Sequence, residues 1–226
     1  MNSIEKNTVS AENQINIKFR VQFIGSDVPD KKVLILGNSI TYHGEKADIG
    51  WGGNWGMAAS RAENDYIHLL FEQSKRICPK VQFCVAQISS LEADFCNSEL
   101  IKEYELIKDY KPDIVVLRFG ENIKPEKYDL AKLEQSYDYF VKNYLVSGKA
   151  HLVFTTCFWK HGFIDEMIRK YCGIFGGDLI ELGDLGDDDS MKAIGKFEHK
   201  GVANHPGDLG MKNIADRIYA VIRNSL

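Results

Sequence analysis

The chain has 226 residues, of which 44% are hydrophobic and 27% charged, and a formal net charge of −4. That length suits one well-cored α/β domain, and the weakly acidic balance excludes a global basic field that would draw in nucleic acid. No apolar run reaches the length of a membrane span, and the first thirty residues lack the pattern of a signal peptide, so a cytoplasmic protein with no membrane partner is expected.

The five cysteines, Cys78, Cys84, Cys96, Cys157 and Cys172, are odd in number and never in C-x-x-C spacing. They read as buried thiols rather than as a disulfide scaffold or a zinc site. Residues 1 to 14 are polar and aperiodic and read as a loose arm. From Ile15 to Ile24 apolar residues alternate with polar ones, which predicts an accessory strand with one wet face. Residues 1–30 are therefore separated from a main domain spanning 31–226. After the turn Gly25–Asp30, the run Val33-Leu34-Ile35-Leu36 predicts a first core strand covered on both faces, with Asn38 and Ser39 just past its end.

A loop follows with the sequence Gly50-Trp51-Gly52-Gly53-Asn54-Trp55-Gly56. Its glycine spacing does not fit a dinucleotide fingerprint. Trp51 and Trp55 either present indole faces for stacking on a sugar or anchor the loop on the core. Ser60-Arg61-Ala62-Glu63 predicts a capping box and a helix from about Arg61 to Ile77. A second strand spans Val81 to Ile88 and ends at Ser89-Ser90, and a helix covers about Glu99 to Asp109. The third strand, Asp113 to Phe119, stops at Gly120-Glu121-Asn122. Pro125 suits the first turn of the next helix. A fourth strand covers His151 to Thr155, a helix runs through Ile164 to Phe175 and closes at Gly176-Gly177, and Leu179 to Leu182 forms a fifth strand. A long irregular segment, Gly183 to Asn204, leads to His205-Pro206-Gly207-Asp208, and a last helix covers about Leu209 to Asn224. Strand and helix alternate five times. The expected fold is a three-layer α/β/α sandwich with a flavodoxin-like, five-stranded parallel sheet and helices on both faces.

In such sheets, ligands gather at the carboxyl ends of the strands. Those ends supply Ser39, Ser89-Ser90 and Gly120-Glu121-Asn122, and the last loop supplies His205. A hydroxyl, an imidazole and an amide are what acyl transfer needs. Three segments carry a family resemblance. Gly37-Asn38-Ser39-Ile40-Thr41 is similar to Gly-Asp-Ser-Leu. Gly120-Glu121-Asn122-Ile123 is similar to Gly-x-Asn-Asp, and Val202-Ala203-Asn204-His205-Pro206 to Asp-x-x-His-Pro. In this order they resemble the first, third and fifth blocks of the SGNH, or GDSL-like, hydrolase superfamily of esterases and lipases. The resemblance implies Ser39 as nucleophile and His205 as general base, with Asn122 and the amides of Ser39 and Ser90 forming an oxyanion hole.

The sequence departs from the blocks at Asn38, Ser90, Ile123 and Val202. With Val202 in place of the usual acid, three arrangements remain open. A backbone carbonyl near Val202 could hold the imidazole, which is favoured. An acid from elsewhere, such as Asp208, Asp184, Asp187, Asp188 or Asp189, could replace it, or the site could be inert. Asp208 reads more simply as the N-cap of the last helix. His43 could touch substrate, Trp159 could line the pocket, and Arg118 could pair with a carboxylate such as Glu92 or meet an anionic substrate.

The implied activity is hydrolysis of a short acyl ester, acetyl above all, of a carbohydrate or similar polar alcohol. Acyl transfer by the same residues is the close variant. A non-catalytic carbohydrate-binding domain using Trp51 and Trp55 is the rival. No metal or cofactor is implied. With an ordinary imidazole pKa, activity would fall as pH drops through roughly 6 to 7.

Overall fold

A computed structural model describes residues 21–143 and 150–226, apart from the side chains of residues 105, 106 and 108. The arm at 1–14, residues 15–20 of the predicted accessory strand and the end of the predicted helix beyond 143 lie outside the described residues.

Six strands form one sheet: β1 (Val21–Gly25), β2 (Lys31–Gly37), β3 (Val81–Gln87), β4 (Ile114–Arg118), β5 (His151–Thr155) and β6 (Asp178–Ile180). Their order is β1-β3-β2-β4-β5-β6. The last five strands in sequence are parallel, and their order, with β2 central, matches the flavodoxin-like expectation. The sixth strand, β1, is added antiparallel to β3 at the edge, with Val21 opposite Ala86 and Gly25 opposite Gln82.

The helices are α1 (Tyr66–Lys75), α2 (Ser89–Ala93), α3 (Ser98–Glu105), α4 (Leu130–Lys142), α5 (Gly162–Phe175), α6 (Gly183–Asp187), α7 (Lys200–Ala203) and α8 (Asp208–Ile222). Alternate residues of the strands face opposite cores, as the pleat requires. Leu34, Leu36, Val115 and Leu117 pack under α4 and α5 with Leu133, Phe140, Ile164 and Ile168. Val33, Ile35, Val85 and Val116 pack under α1 and α8 with Ile67, Leu70, Met211, Ile214 and Ile218. Both faces of the central strands are thus covered, which is why they read as unbroken apolar runs. Among the described residues, no helix is long and apolar enough to cross a membrane. The cysteines are all free; Cys96 is half-buried and the other four are buried.

Several boundaries differ from those predicted, each for a local reason. Helix α1 starts at Tyr66, not Arg61, because Asp65 is its N-cap and accepts from the His68 amide at 2.8 Å. The second carboxylate oxygen of Asp65 accepts from the Gly56 amide, so this residue also pins the tryptophan loop. Ser60 makes no capping box; it donates its amide and hydroxyl to Asp208, and Ala62–Asn64 forms a single 3-10 turn. Asp208 is correspondingly not the N-cap of α8. Gly207 holds that position, and Asp208 begins the helix. Pro125 opens a separate 3-10 turn, Pro125–Lys127, and α4 is capped by Asp129. The segment from Gly183 to Asn204 is not irregular throughout: α6, a 3-10 turn at Asp189–Met191 and α7 subdivide it. Helices of four or five residues are too short to display a 3.6-residue period.

Candidate active site

Strand β2 ends at Gly37, and the chain turns at once. Thr41 folds back so closely that a Cβ on Gly37 would lie 1.8 Å from its hydroxyl oxygen. The amides of Thr41 and Tyr42 both donate to the Asn38 carbonyl, a tight turn that leaves Ser39 half-buried at the sheet edge. Ser39 Oγ lies 2.9 Å from His205 Nε2, across 166 residues of sequence.

The other ring nitrogen fixes the proton bookkeeping. His205 Nδ1 is 2.7 Å from the carbonyl oxygen of Gly201. A carbonyl only accepts, so Nδ1 carries the hydrogen and Nε2 presents its lone pair to the Ser39 hydroxyl. This is the orientation a general base needs. The short helix α7 aims the carbonyl, and the turn that follows, with the His205 amide donating to Val202 O at 2.9 Å, returns the ring over it.

Val202 itself does not face the imidazole. It is 1% exposed and belongs to an apolar cluster with Trp51, Met57, Ala58 and Ala193. The other acids are engaged elsewhere. Asp184 binds Arg217, Asp187 binds Lys160, Asp188 caps Ser190, and Asp189 pairs with Lys192. Asp208 holds Ser60 and Asn64. Of the three arrangements left open by the sequence, the imidazole meets a backbone carbonyl and none of these five carboxylates.

Trp159 stands edge-on to His205, with ring centroids 5.0 Å apart, and its indole N–H donates to the carbonyl of Asn204. Burial pushes the His205 imidazole down to about 4, while the bond to Gly201 and the nearby Glu121 carboxylate pull the other way.

The segments that carry Ser39 and Asn122 rest on a buried polar cluster. Asn38, Glu92 and Arg118 are all 0% exposed. Arg118 donates from Nη1 to Asn38 Oδ1 at 2.8 Å and from Nη2 to Glu121. Asn38 Nδ2 in turn donates to Glu121 Oε2 at 2.6 Å and to Glu92 Oε1 at 3.1 Å. Glu92 Oε1 also accepts from the Gly120 amide at 2.6 Å, and its Oε2 accepts from Asn122 Nδ2 at 2.7 Å. Arg118 therefore pairs with Glu121 and not with Glu92, and its burial removes it from contact with any substrate. These contacts also account for asparagine at position 38. Between two carboxylates and a guanidinium, its amide gives two donors to the acids and an acceptor to the arginine, where an aspartate would add a third negative charge. Burial, and the charge of Glu121 alongside, raise Glu92 to about 7.

Gly120 permits the chain to reach Asn122. Its φ of +145° is open to glycine, and a Cβ there would lie 2.8 Å from Ile164 and 2.9 Å from Cys157. Asn122 is exposed, while Ile123, which stands where the block resembled has an aspartate, is buried in the core. Ser90 is the second residue of α2, a position whose amide has no partner within its own helix, and its hydroxyl lies 2.9 Å from that of Tyr104. Next to Ser90 opens a cleft of about 330 Å³ lined by Tyr42, His43, Gly44, Glu45, Lys46, Gln87 and Ser89.

The two tryptophans of the glycine-rich loop fall differently from a stacking surface. Trp51 is 3% exposed, donates its indole N–H to the His43 carbonyl, and packs against Trp55 and Phe197. Trp55 is half-buried, with its N–H on the Ala59 carbonyl. They anchor the loop, while His43 lines the cleft. Among the described residues, no three His, Cys, Asp or Glu side chains gather so as to hold a metal ion.

Signals for Glu92, Glu121 and Gly201 were sparse in sequence. Glu92 is marked only as a possible partner of Arg118 and Glu121 only as the variable position of a block, and a carbonyl leaves no trace in residue type.

No protein-family model and no curated protein matches the sequence. Solved structures do match the fold. A psychrotrophic esterase, EstA from Pseudoalteromonas sp., aligns at 14% identity and a TM-score of 0.57, covering 86% of this chain and 98% of the other. A protein from Desulfitobacterium hafniense described as lipolytic and of the G-D-S-L family aligns at 16% identity and a TM-score of 0.53, covering 87% and 100%. A family two carbohydrate esterase from Cellvibrio japonicus aligns at 18% identity and a TM-score of 0.55, covering 88% of this chain but 62% of that one. The chain has the SGNH, or GDSL-like, hydrolase fold.

Proposed function

We propose that this protein is a serine esterase that removes a short acyl group, acetyl above all, from a carbohydrate or similar polar alcohol. The observation that carries the reading is the pair of bonds on His205: Ser39 Oγ at 2.9 Å on one nitrogen and the Gly201 carbonyl at 2.7 Å on the other. Ser39 attacks the ester carbonyl as its proton passes to Nε2, and the oxyanion is received by Asn122 and backbone amides, among them Ser39 and Ser90. His205 then gives the proton to the leaving alkoxide. Water enters, loses its proton to the same nitrogen, and displaces the acyl group from Ser39, whose oxygen takes that proton back.

The preference for a polar substrate is supported by the adjoining cleft, where His43, Glu45, Lys46, Gln87 and Ser89 offer hydrogen bonds and charge in place of an apolar wall. The similarity in fold to a carbohydrate esterase and to an esterase agrees with this reading. A lectin-like role through Trp51 and Trp55 is poorly served by the buried Trp51 and by Trp55, half-buried with its N–H on the Ala59 carbonyl.

Hydrolysis of p-nitrophenyl acetate by the wild type, with loss of that activity in Ser39→Ala, is the expected result. Equal rates in the two proteins would overturn the esterase reading. Acetate release from a panel of acetylated sugars then identifies the alcohol.

A further inference from the structure

We infer that Glu92 is a positioning residue for the oxyanion donor: its carboxylate fixes the amide of Asn122 so that one N–H is tied inward and the other faces the reacting carbonyl. This rests on the esterase reading above. An exposed asparagine is free to rotate about two side-chain bonds, and its value as an oxyanion donor depends on being preorganised. Asn122 is exposed on its outer side, yet its Nδ2 is held at 2.7 Å by a carboxylate that is itself 0% exposed.

Glu92 is suited to this in three ways. It lies in α2, the same five-residue helix as Ser90, so one short element carries both an oxyanion amide and the anchor of the other donor. Its Oε1 takes the Gly120 amide at 2.6 Å, so it holds both the Asn122 side chain and the backbone leading to it. It also takes Asn38 Nδ2, from the residue that precedes the nucleophile, so the segments bearing Ser39 and Asn122 are referred to a single group. An amide has two N–H bonds, and once Oε2 occupies one, the second is left to donate outward. Three donors converge on Glu92, so its ionised form is the one these bonds favour, against the burial and the Glu121 charge that oppose it.

The geometry selects the informative substitution. In Glu92→Gln the remaining oxygen is best placed at the Oε1 position, where two donors meet. The new NH₂ then faces Asn122 Nδ2, donor against donor, and releases that one bond. Asn122→Ala lowers kcat by about 10²–10³ if Asn122 is an oxyanion donor. Glu92→Gln in the wild-type background is expected to lower kcat for p-nitrophenyl acetate by about tenfold or more with KM little changed. In an Asn122→Ala background it should have no further effect, because the group it acts through is gone. A loss of the same size in both backgrounds, or none in either, overturns the proposal.

A second measurement needs neither turnover nor a folded Glu92 variant. In the side-chain amide spectrum of wild-type protein, with Asn122 assigned through Asn122→Ala, one Asn122 proton should be shifted downfield and protected from exchange while its geminal partner exchanges freely. Two freely exchanging protons would mean that Glu92 does not hold the amide. If Ser39→Ala hydrolyses as fast as wild type, the esterase reading fails, and this spectrum still decides the hold of Glu92 on Asn122.

Discussion

The imidazole of His205 and the carbonyl of Gly201 are joined by a hydrogen bond of 2.7 Å, four residues apart in the chain. The group that orients this imidazole is therefore part of the main chain. A neutral carbonyl steadies the tautomer but stabilises an imidazolium less than a carboxylate would.

Alanine at Asp184, Asp187, Asp188, Asp189 or Asp208 should accordingly change kcat by less than about threefold, compared with the roughly 10⁴-fold loss seen when a triad acid is disabled. Each of these acids has another partner. Initial rates on folded protein measure this, and a collapse at one position would identify an acid that reaches His205 in solution.

Restoring the missing acid in sequence should not restore a triad. Val202 packs with Trp51, Met57, Ala58 and Ala193, away from the ring. Val202→Asp should cost several kcal/mol of stability by burying an unpaired carboxylate, with no gain in turnover. Urea denaturation together with kcat tests both halves of the statement.

The acid limb of the pH–rate profile should lie below the ordinary histidine range. In the mechanism proposed above His205 acts as the neutral base, and burial lowers its pKa to about 4. Because protonation in the native protein is postponed, activity persists as pH falls past about 6.5 and is lost as pH approaches 4. The limb expected on this reading lies below the fall at 6 to 7 expected from sequence. Trp159→Ala should open the ring to water and move the limb upward toward the ordinary value, since the indole edge is one of the walls around it. Profiles of kcat/KM for the two proteins that coincide would contradict this.

Asn38→Asp should destabilise the fold at neutral pH by roughly 3–5 kcal/mol, the scale for an uncompensated buried charge. It would set a third carboxylate against Glu92 and Glu121, with Arg118 as the positive partner already engaged. Mutual repulsion raises the pKa of the added acid, so the penalty should shrink as pH is lowered and the group becomes protonated. Thermal melts at pH 5 and pH 7.5 compare the two conditions.

The layered fold was legible because β2, β3 and β4 are buried on both faces and so appear as apolar runs bounded by turns. Strand ends and block order mark Ser39, Asn122 and His205 as candidates, and the first and last of these do meet. What escaped was set by partners distant in sequence. Ser60 looked like a helix cap, but the carboxylate of Asp65 caps α1 and binds Gly56 as well, while Ser60 turns to Asp208, 148 residues away. Trp51 looked available to a ligand, because nothing local reveals that Val202 and Phe197 cover it. Glu92 acquires its meaning only when Asn38, Gly120 and Asn122 converge on it.

Helix α7 spans four residues, Lys200–Ala203, and is capped by His199, whose Nδ1 accepts the Val202 amide at 3.3 Å. Because it supplies the acceptor for His205 from its backbone, no side-chain exchange can delete that acceptor. Point mutation reaches it through the peptide geometry of one helical turn. A scan that replaces each residue in turn would thus pass over Gly201 as a functional group, and the sensitive positions would be those, such as His199, that keep the turn wound.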